Sequence, residues 1–120
     1  MEVTPAETKE NLSVKELVEK DYEAEVLKAT QPVVLDFYSA DSAPCKALAP
    51  RFGAVAEKFG AKIRFLKVLR QGNGALSDKL GVKASPTLIF FKDGKECGER
   101  LTGDDIKRTA LKAQVEALLK

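Results

Sequence analysis

Val33-Val34-Leu35-Asp36-Phe37-Tyr38-Ser39-Ala40-Asp41-Ser42-Ala43-Pro44-Cys45-Lys46 changes character once, and that change decides the fold. The first six residues are β-prone and nearly all apolar, with Asp36 the one charge among them. This is the pattern of a strand covered on both faces, as in a parallel sheet. A polar turn follows, and beyond it Leu48, Phe52, Val55 and Phe59 recur at helical spacing up to Gly60. From Ile63 to Leu69 a second β-prone run begins, so strand, helix and strand read as a right-handed βαβ unit from Val33 to Leu69.

The flanks extend this unit in both directions. Ser13 to Val18 reads as a weak first strand, and Asp21 as the N-cap of a short helix in which Tyr22 and Val26 share a face, closed by Pro32. Downstream, Asn73 caps a short helix through Leu76 and Leu80 that ends at Gly81. Thr87 to Phe91 is another apolar strand, and Lys92-Asp93-Gly94-Lys95 is a hairpin turn into a strand near Glu96 to Leu101. From Asp104 or Asp105 the positions Ile106, Ala110, Ala113 and Ala117, with Leu111, Val115 and Leu118 beside them, predict a terminal helix. Residues 1–12 carry no apolar period and read as a loosely held arm, leaving 13–120 as a single domain.

Composition narrows the chemistry. At 120 residues, 44% hydrophobic, 32% charged and net charge +2, the chain is an ordinary globular domain with no concentrated basic face for nucleic acid. Its longest apolar run, Leu88-Ile89-Phe90-Phe91, is far short of a membrane span, and the start at Met1 has no signal-peptide pattern, so the expected location is the cytoplasm. There is no histidine, which removes Ser-His-Asp triads, Cys-His pairs and histidine-based metal sites. Two cysteines cannot build a four-thiolate site, so neither metal nor cofactor is expected. What is left is carboxylate, lysine, hydroxyl or thiol chemistry.

Ser42-Ala43-Pro44-Cys45-Lys46 stands where a buried strand ends and a helix begins, the place where orphan amides and the helix dipole favour an anion and where a thiol is favoured as thiolate. Ser42 itself reads as a good N-cap. Cys45 is either inert core or a reagent. A charge at Asp36, inside an apolar strand, is costly, so this carboxylate is either raised in pKa by desolvation or paired with a surface cation at the strand end. Cys97 follows the Asp-Gly hairpin, expected at the end of the sheet remote from Cys45, so on reach no disulfide between them is expected and Cys97 reads as structural.

Glu25-Val26-Leu27-Lys28-Ala29, Val33-Val34-Leu35-Asp36-Phe37, Ala43-Pro44-Cys45-Lys46, Ala49-Pro50, Gly81-Val82, Pro86-Thr87 and Phe91-Lys92-Asp93-Gly94 all resemble segments of the thioredoxin family, in register from Ser13 to the C-terminus. The resemblance implies an α/β fold, the thioredoxin sandwich: a central mixed β-sheet flanked by helices on both faces. It implies that Cys45 matches the resolving cysteine, that Asp36 relays its proton, and that Lys67 lies near Asp36, although a solvated strand lysine is the alternative. Pro86 matches a cis-proline that presents the backbone of Ser85 to an extended substrate, the alternative being a proline opening an edge strand. Asp41, Ala43 and Pro44 would line the same substrate face. Pro50 would kink the helix.

Two departures bear on activity. Ser42 stands where the family has its attacking cysteine, and Asp41 where it has a tryptophan. A serine hydroxyl stays protonated near neutral pH and cannot exchange with a disulfide, because a thiolate must attack sulfur. The first expectation is therefore a thioredoxin-like protein disulfide oxidoreductase, inactive as written because Ser42 holds the nucleophile position. Its implied partners are disulfide-bearing proteins or peptides and a thioredoxin reductase, with the chain itself a monomer. The second is a naturally redox-silent module that binds extended peptides beside Pro86. The third is a one-thiol protein in which Cys45 is reversibly capped or bonds another molecule.

Overall fold

The computed structural model describes residues 13–120. The arm read from residues 1–12 lies outside the described residues. Six strands are described: β1 (Val14–Glu16), β2 (Val33–Tyr38), β3 (Arg64–Leu69), β4 (Thr87–Lys92), β5 (Lys95–Glu96) and β6 (Leu101–Thr102). Three α-helices accompany them: α1 (Ala43–Phe59), α2 (Gly74–Lys79) and α3 (Arg108–Leu118). The sheet order is β1-β3-β2-β4-β5, with β6 also on β4. β1, β3 and β2 run parallel and β4 runs antiparallel to β2, so the sheet is mixed, with β2 between two partners.

A central strand with no solvent face must be apolar on both sides, and β2 shows how the two-residue period splits its side chains. Val33, Leu35 and Phe37 join a core with Leu17, Tyr22, Val26, Leu66, Val68, Leu76, Val82, Ile89 and Phe91. Val34 turns the other way, into a core built with Leu48, Phe52 and Val55 of α1 and Leu111, Val115 and Leu118 of α3. Phe52 and Phe65 meet there edge to face, with ring centroids 5.6 Å apart. By the same alternation Asp36 and Lys67 follow Val34 and Phe65 onto the α1 side. Among the described residues no helix is long and apolar enough to cross a membrane.

The structure corrects several boundaries. Asp21 does not cap a helix: Glu19–Asp21 is a 3-10 turn and Glu23–Leu27 a π-helical turn, in which the Lys28 N–H donates to Glu23 O over 2.9 Å. So short a segment has little helical stability of its own, and its shape follows the burial of Tyr22 and Val26 on one face. Asn73 precedes α2 without capping it by its side chain. Its Oδ1 accepts from the Glu19 N–H and its Nδ2 donates to Leu69 O, each at 2.8 Å, while Glu19 Oε1 takes the Leu76 N–H instead.

The strand expected near Glu96 to Leu101 is two fragments, because Gly98 turns the chain at φ 70° and the Arg100 guanidinium clamps both oxygens of Glu96 at 2.7 and 3.0 Å. The terminal helix starts at Arg108, not at Asp104 or Asp105. Arg51 Nη1 donates to Asp105 Oδ1 at 2.9 Å and to Ile106 O at 3.0 Å, which holds that stretch in a loop with Ile106 buried. The buried stripe of α3 is Leu111, Val115 and Leu118, whereas Ala113 and Ala117 are exposed.

Asp93 and Gly94 both take positive φ, 55° and 77°, as a two-residue hairpin turn requires. A Cβ on Gly94 would collide with the backbone carbonyl of Leu27. Strain and collision fall at one position, so Gly94→Ala is expected to lower stability by about 2–3 kcal/mol in urea unfolding. At Asp93 glycine relieves strain, and Asp93→Gly is expected to stay within about 1 kcal/mol of the parent. Equal stability of Gly94→Ala and parent would show that the turn and Leu27 yield at little cost.

Candidate active site

Helix α1 begins at the C-terminal end of β2, and its first turn is capped by oxygen. Ser42, extended at φ −86° and ψ 121°, accepts the Cys45 N–H on its Oγ at 3.2 Å. This is the geometry of an N-cap, which serine favours because its short hydroxyl reaches an orphan amide. Pro44 sits within the first turn, where the N–H it lacks would have had no helical partner. Asp41 and Ala43 are exposed and Pro44 half-buried, so this turn forms surface. Cys45 faces inward, 7% exposed, and its sulfur accepts the Ser39 N–H at 3.4 Å. Cys45 and Cys97 are both free thiols. Cys97 packs against the α1–α3 core, and burial pushes its thiol up. Pro50 lies inside α1, on its exposed side.

Beneath the turn is a cavity of about 200 Å³ whose walls include Asp36, Tyr38, Ser39, Cys45 and Lys67. Three of the sequence-derived candidates, Asp36, Cys45 and Lys67, thus share one space. Asp36 is 6% exposed, and its Oδ1 is buried with no hydrogen-bond partner. Burial raises the carboxyl from its ordinary 3.8 to about 7; Lys67 opposes the rise and Glu16 adds to it. Desolvation therefore outweighs the lysine. Asp36 and Lys67 are cross-strand neighbours, but the Lys67 ammonium turns to Glu16 Oε1 at 3.9 Å and stands 5.6 Å from the centroid of the Tyr38 ring. The Tyr38 hydroxyl donates to both oxygens of Glu16, at 2.9 and 3.1 Å, and burial together with that acceptor raises its pKa.

On the far side of the turn the peptide between Ser85 and Pro86 is cis, and Pro86 is buried at the start of β4. Three side chains tie this loop to the rest. Ser39 Oγ donates to Ser85 Oγ at 2.8 Å, and Arg70 Nη1 donates to the same oxygen at 3.0 Å. Thr102 Oγ1 donates to Pro86 O at 3.1 Å. Ser42, Ala43, Pro44, Ser85 and Pro86 stand apart from the cavity lining. Glu16, Tyr38, Ser39 and Arg70 were not singled out from the sequence. The available signal for Glu16 was the alternation of β1, which sets it across from Lys67 once β1 and β3 are paired.

A mixed sheet sandwiched by helices, a cysteine on the first turn of the helix after the central strand, a buried carboxyl below it and a cis-proline beside it define a class of proteins that present a thiol at the C-terminal end of the central strand. The chain belongs to the thioredoxin family, whose model, described as Thioredoxin, matches residues 13–117. It is 34% identical over 107 residues to "Thioredoxin X, chloroplastic" of Arabidopsis thaliana, covering 88% of this chain and 58% of that longer relative. It is 37% identical over 105 residues to "Thioredoxin" of Acetoanaerobium sticklandii, covering 88% of this chain and 95% of the relative. With "Thioredoxin Asp f 28" of Aspergillus fumigatus it shares 31% over 81 residues, 68% of this chain and 74% of the relative.

Proposed function

We propose that this protein is a thioredoxin-like thiol-disulfide oxidoreductase lacking its nucleophile, with Ser42 in the attacking position and Cys45 in the resolving one. The supporting observation is the cavity in which Asp36, Cys45 and Lys67 meet. A carboxyl titrating near 7 beside a thiol can take and return a proton at neutral pH, which is the service a resolving thiol needs when it attacks a mixed disulfide. A domain without redox ancestry has no use for an unpaired carboxyl in a strand where an apolar residue would pack at lower cost. In this reading Asp41, Ala43, Pro44, Ser85 and Pro86 face the substrate, a protein or peptide disulfide, and a thioredoxin reductase recycles a cysteine-bearing parent. The cytoplasm suits the reading, because thiols stay reduced there.

With Ser42 in place the chain is expected not to accelerate reduction of insulin disulfides by dithiothreitol, staying within about twofold of the uncatalysed rate. A rate near that of an ordinary thioredoxin would remove the proposal. A second reading, a redox-silent peptide-binding module, is favoured by the polar surface that Asp41, Ser42 and Ser85 give the turn.

A further inference from the structure

Arg70 is a half-buried cation beside Ser85. Among the described residues no carboxylate pairs with it, its Nη1 donates to the neutral Ser85 Oγ, and its Nε is buried without a partner. Ser85 Oγ accepts from both Ser39 and Arg70, which fills its two lone pairs and leaves its own O–H free to donate. Donors therefore collect at this half-buried point, beside the cis peptide that leads into β4. A guanidinium fork and a hydroxyl fit a carboxylate, which accepts through two oxygens. An unmade buried donor is costly, so a guanidinium kept here in place of an apolar side chain calls for a role.

We propose that Arg70 and Ser85 form a subsite for the acidic side chain of an extended peptide lying along Ser85-Pro86, so that the preferred partners carry aspartate or glutamate next to the cysteine that faces the Ser42–Cys45 turn. The proposal rests on the reading of this face as substrate-binding, and it names the substrate class. Arg70 acts here as a specificity-determining residue: it touches the peptide and takes no part in sulfur exchange. The site reads charge and planarity together, so lysine in its place would keep the attraction and lose the fork.

The test uses the chain as it is, which separates this proposal from the redox reading. Two peptides, identical except for glutamate or glutamine before an S-methylated cysteine, are titrated into the isotopically labelled protein and followed through its amide resonances. The glutamate peptide is expected to bind about tenfold tighter at about 20 mM salt, with the preference falling to about twofold at about 500 mM. Its largest shifts should fall at Arg70 and Ser85. Arg70→Gln should erase the preference, bringing the glutamate peptide down to the affinity of the glutamine peptide. The salt series on the unsubstituted protein decides the matter if that variant does not fold. Equal affinity for the two peptides, no binding of either, or a preference that survives Arg70→Gln or high salt, overturns the proposal. Reduction of insulin by Ser42→Cys is scored separately, so its failure removes the redox reading and leaves this result standing.

Discussion

Ser42→Cys is expected to form a reversible disulfide with Cys45 and to reduce protein disulfides at least about a hundredfold faster than the parent. The two positions are the cap and the third residue of α1, and Ser42 Oγ already lies 3.2 Å from the Cys45 amide, so the introduced sulfur starts beside the first turn. There the orphan amides of α1 favour its thiolate. This thiolate would attack a substrate disulfide, bond one sulfur and release the other as a thiol. Cys45, its proton passed to Asp36, would then attack the introduced sulfur and release the second substrate thiol, leaving an internal disulfide for dithiothreitol to reduce. Loss of the serine cap costs about 1 kcal/mol. Free-thiol titration before and after oxidation checks the bond, and insulin reduction checks turnover. A variant that oxidises but does not reduce insulin would transfer the case to the peptide-binding reading.

The second large effect belongs to Asp36. Its folded pKa, about 7, is above the ordinary 3.8. Between those values the unfolded chain has lost the proton and the folded chain still holds it, so stability falls as pH rises through this window and is level above it. About three units correspond to a cost of roughly 4 kcal/mol at most when the group is fully ionised. Asp36→Leu is therefore expected to be more stable than the parent by about 2–4 kcal/mol at pH 8, and to converge with it near pH 4, where the parent carboxyl is neutral. Asp36→Ala should gain less, because a cavity remains. Urea unfolding at the two pH values measures this. In the Ser42→Cys background either substitution should slow reduction, since Cys45 loses its proton acceptor. A less stable Asp36→Leu at pH 8, with unchanged turnover in that background, would make Asp36 a structural carboxylate.

How far the sequence reached can be judged residue by residue. β2 was legible to its ends because a strand buried on both faces has no alternation to blur it, and Asp36 was legible as the charge that breaks the run. The turn was legible because strand end, serine, proline and cysteine come in one stretch. Arg70, Ser39 and Glu16 were not. They acquire meaning from register alone, when parallel pairing lays Glu16 against Lys67 and when the loop carrying Ser85 folds back over Ser39. Asn73 shows the opposite failure: its residue type announces a cap, but tertiary partners at Glu19 and Leu69 claim its carboxamide first.

The oxygen at the head of α1 has one more consequence. A pair of sulfurs at such a turn would be bridged or open according to the potential of the surrounding thiol pool, and the face would change its charge and shape with each exchange. A hydroxyl holds no electrons to trade. Ser42 Oγ caps the Cys45 amide through an oxygen that cannot pair with the Cys45 sulfur, so no internal disulfide across this turn reports whether the surroundings are oxidising or reducing.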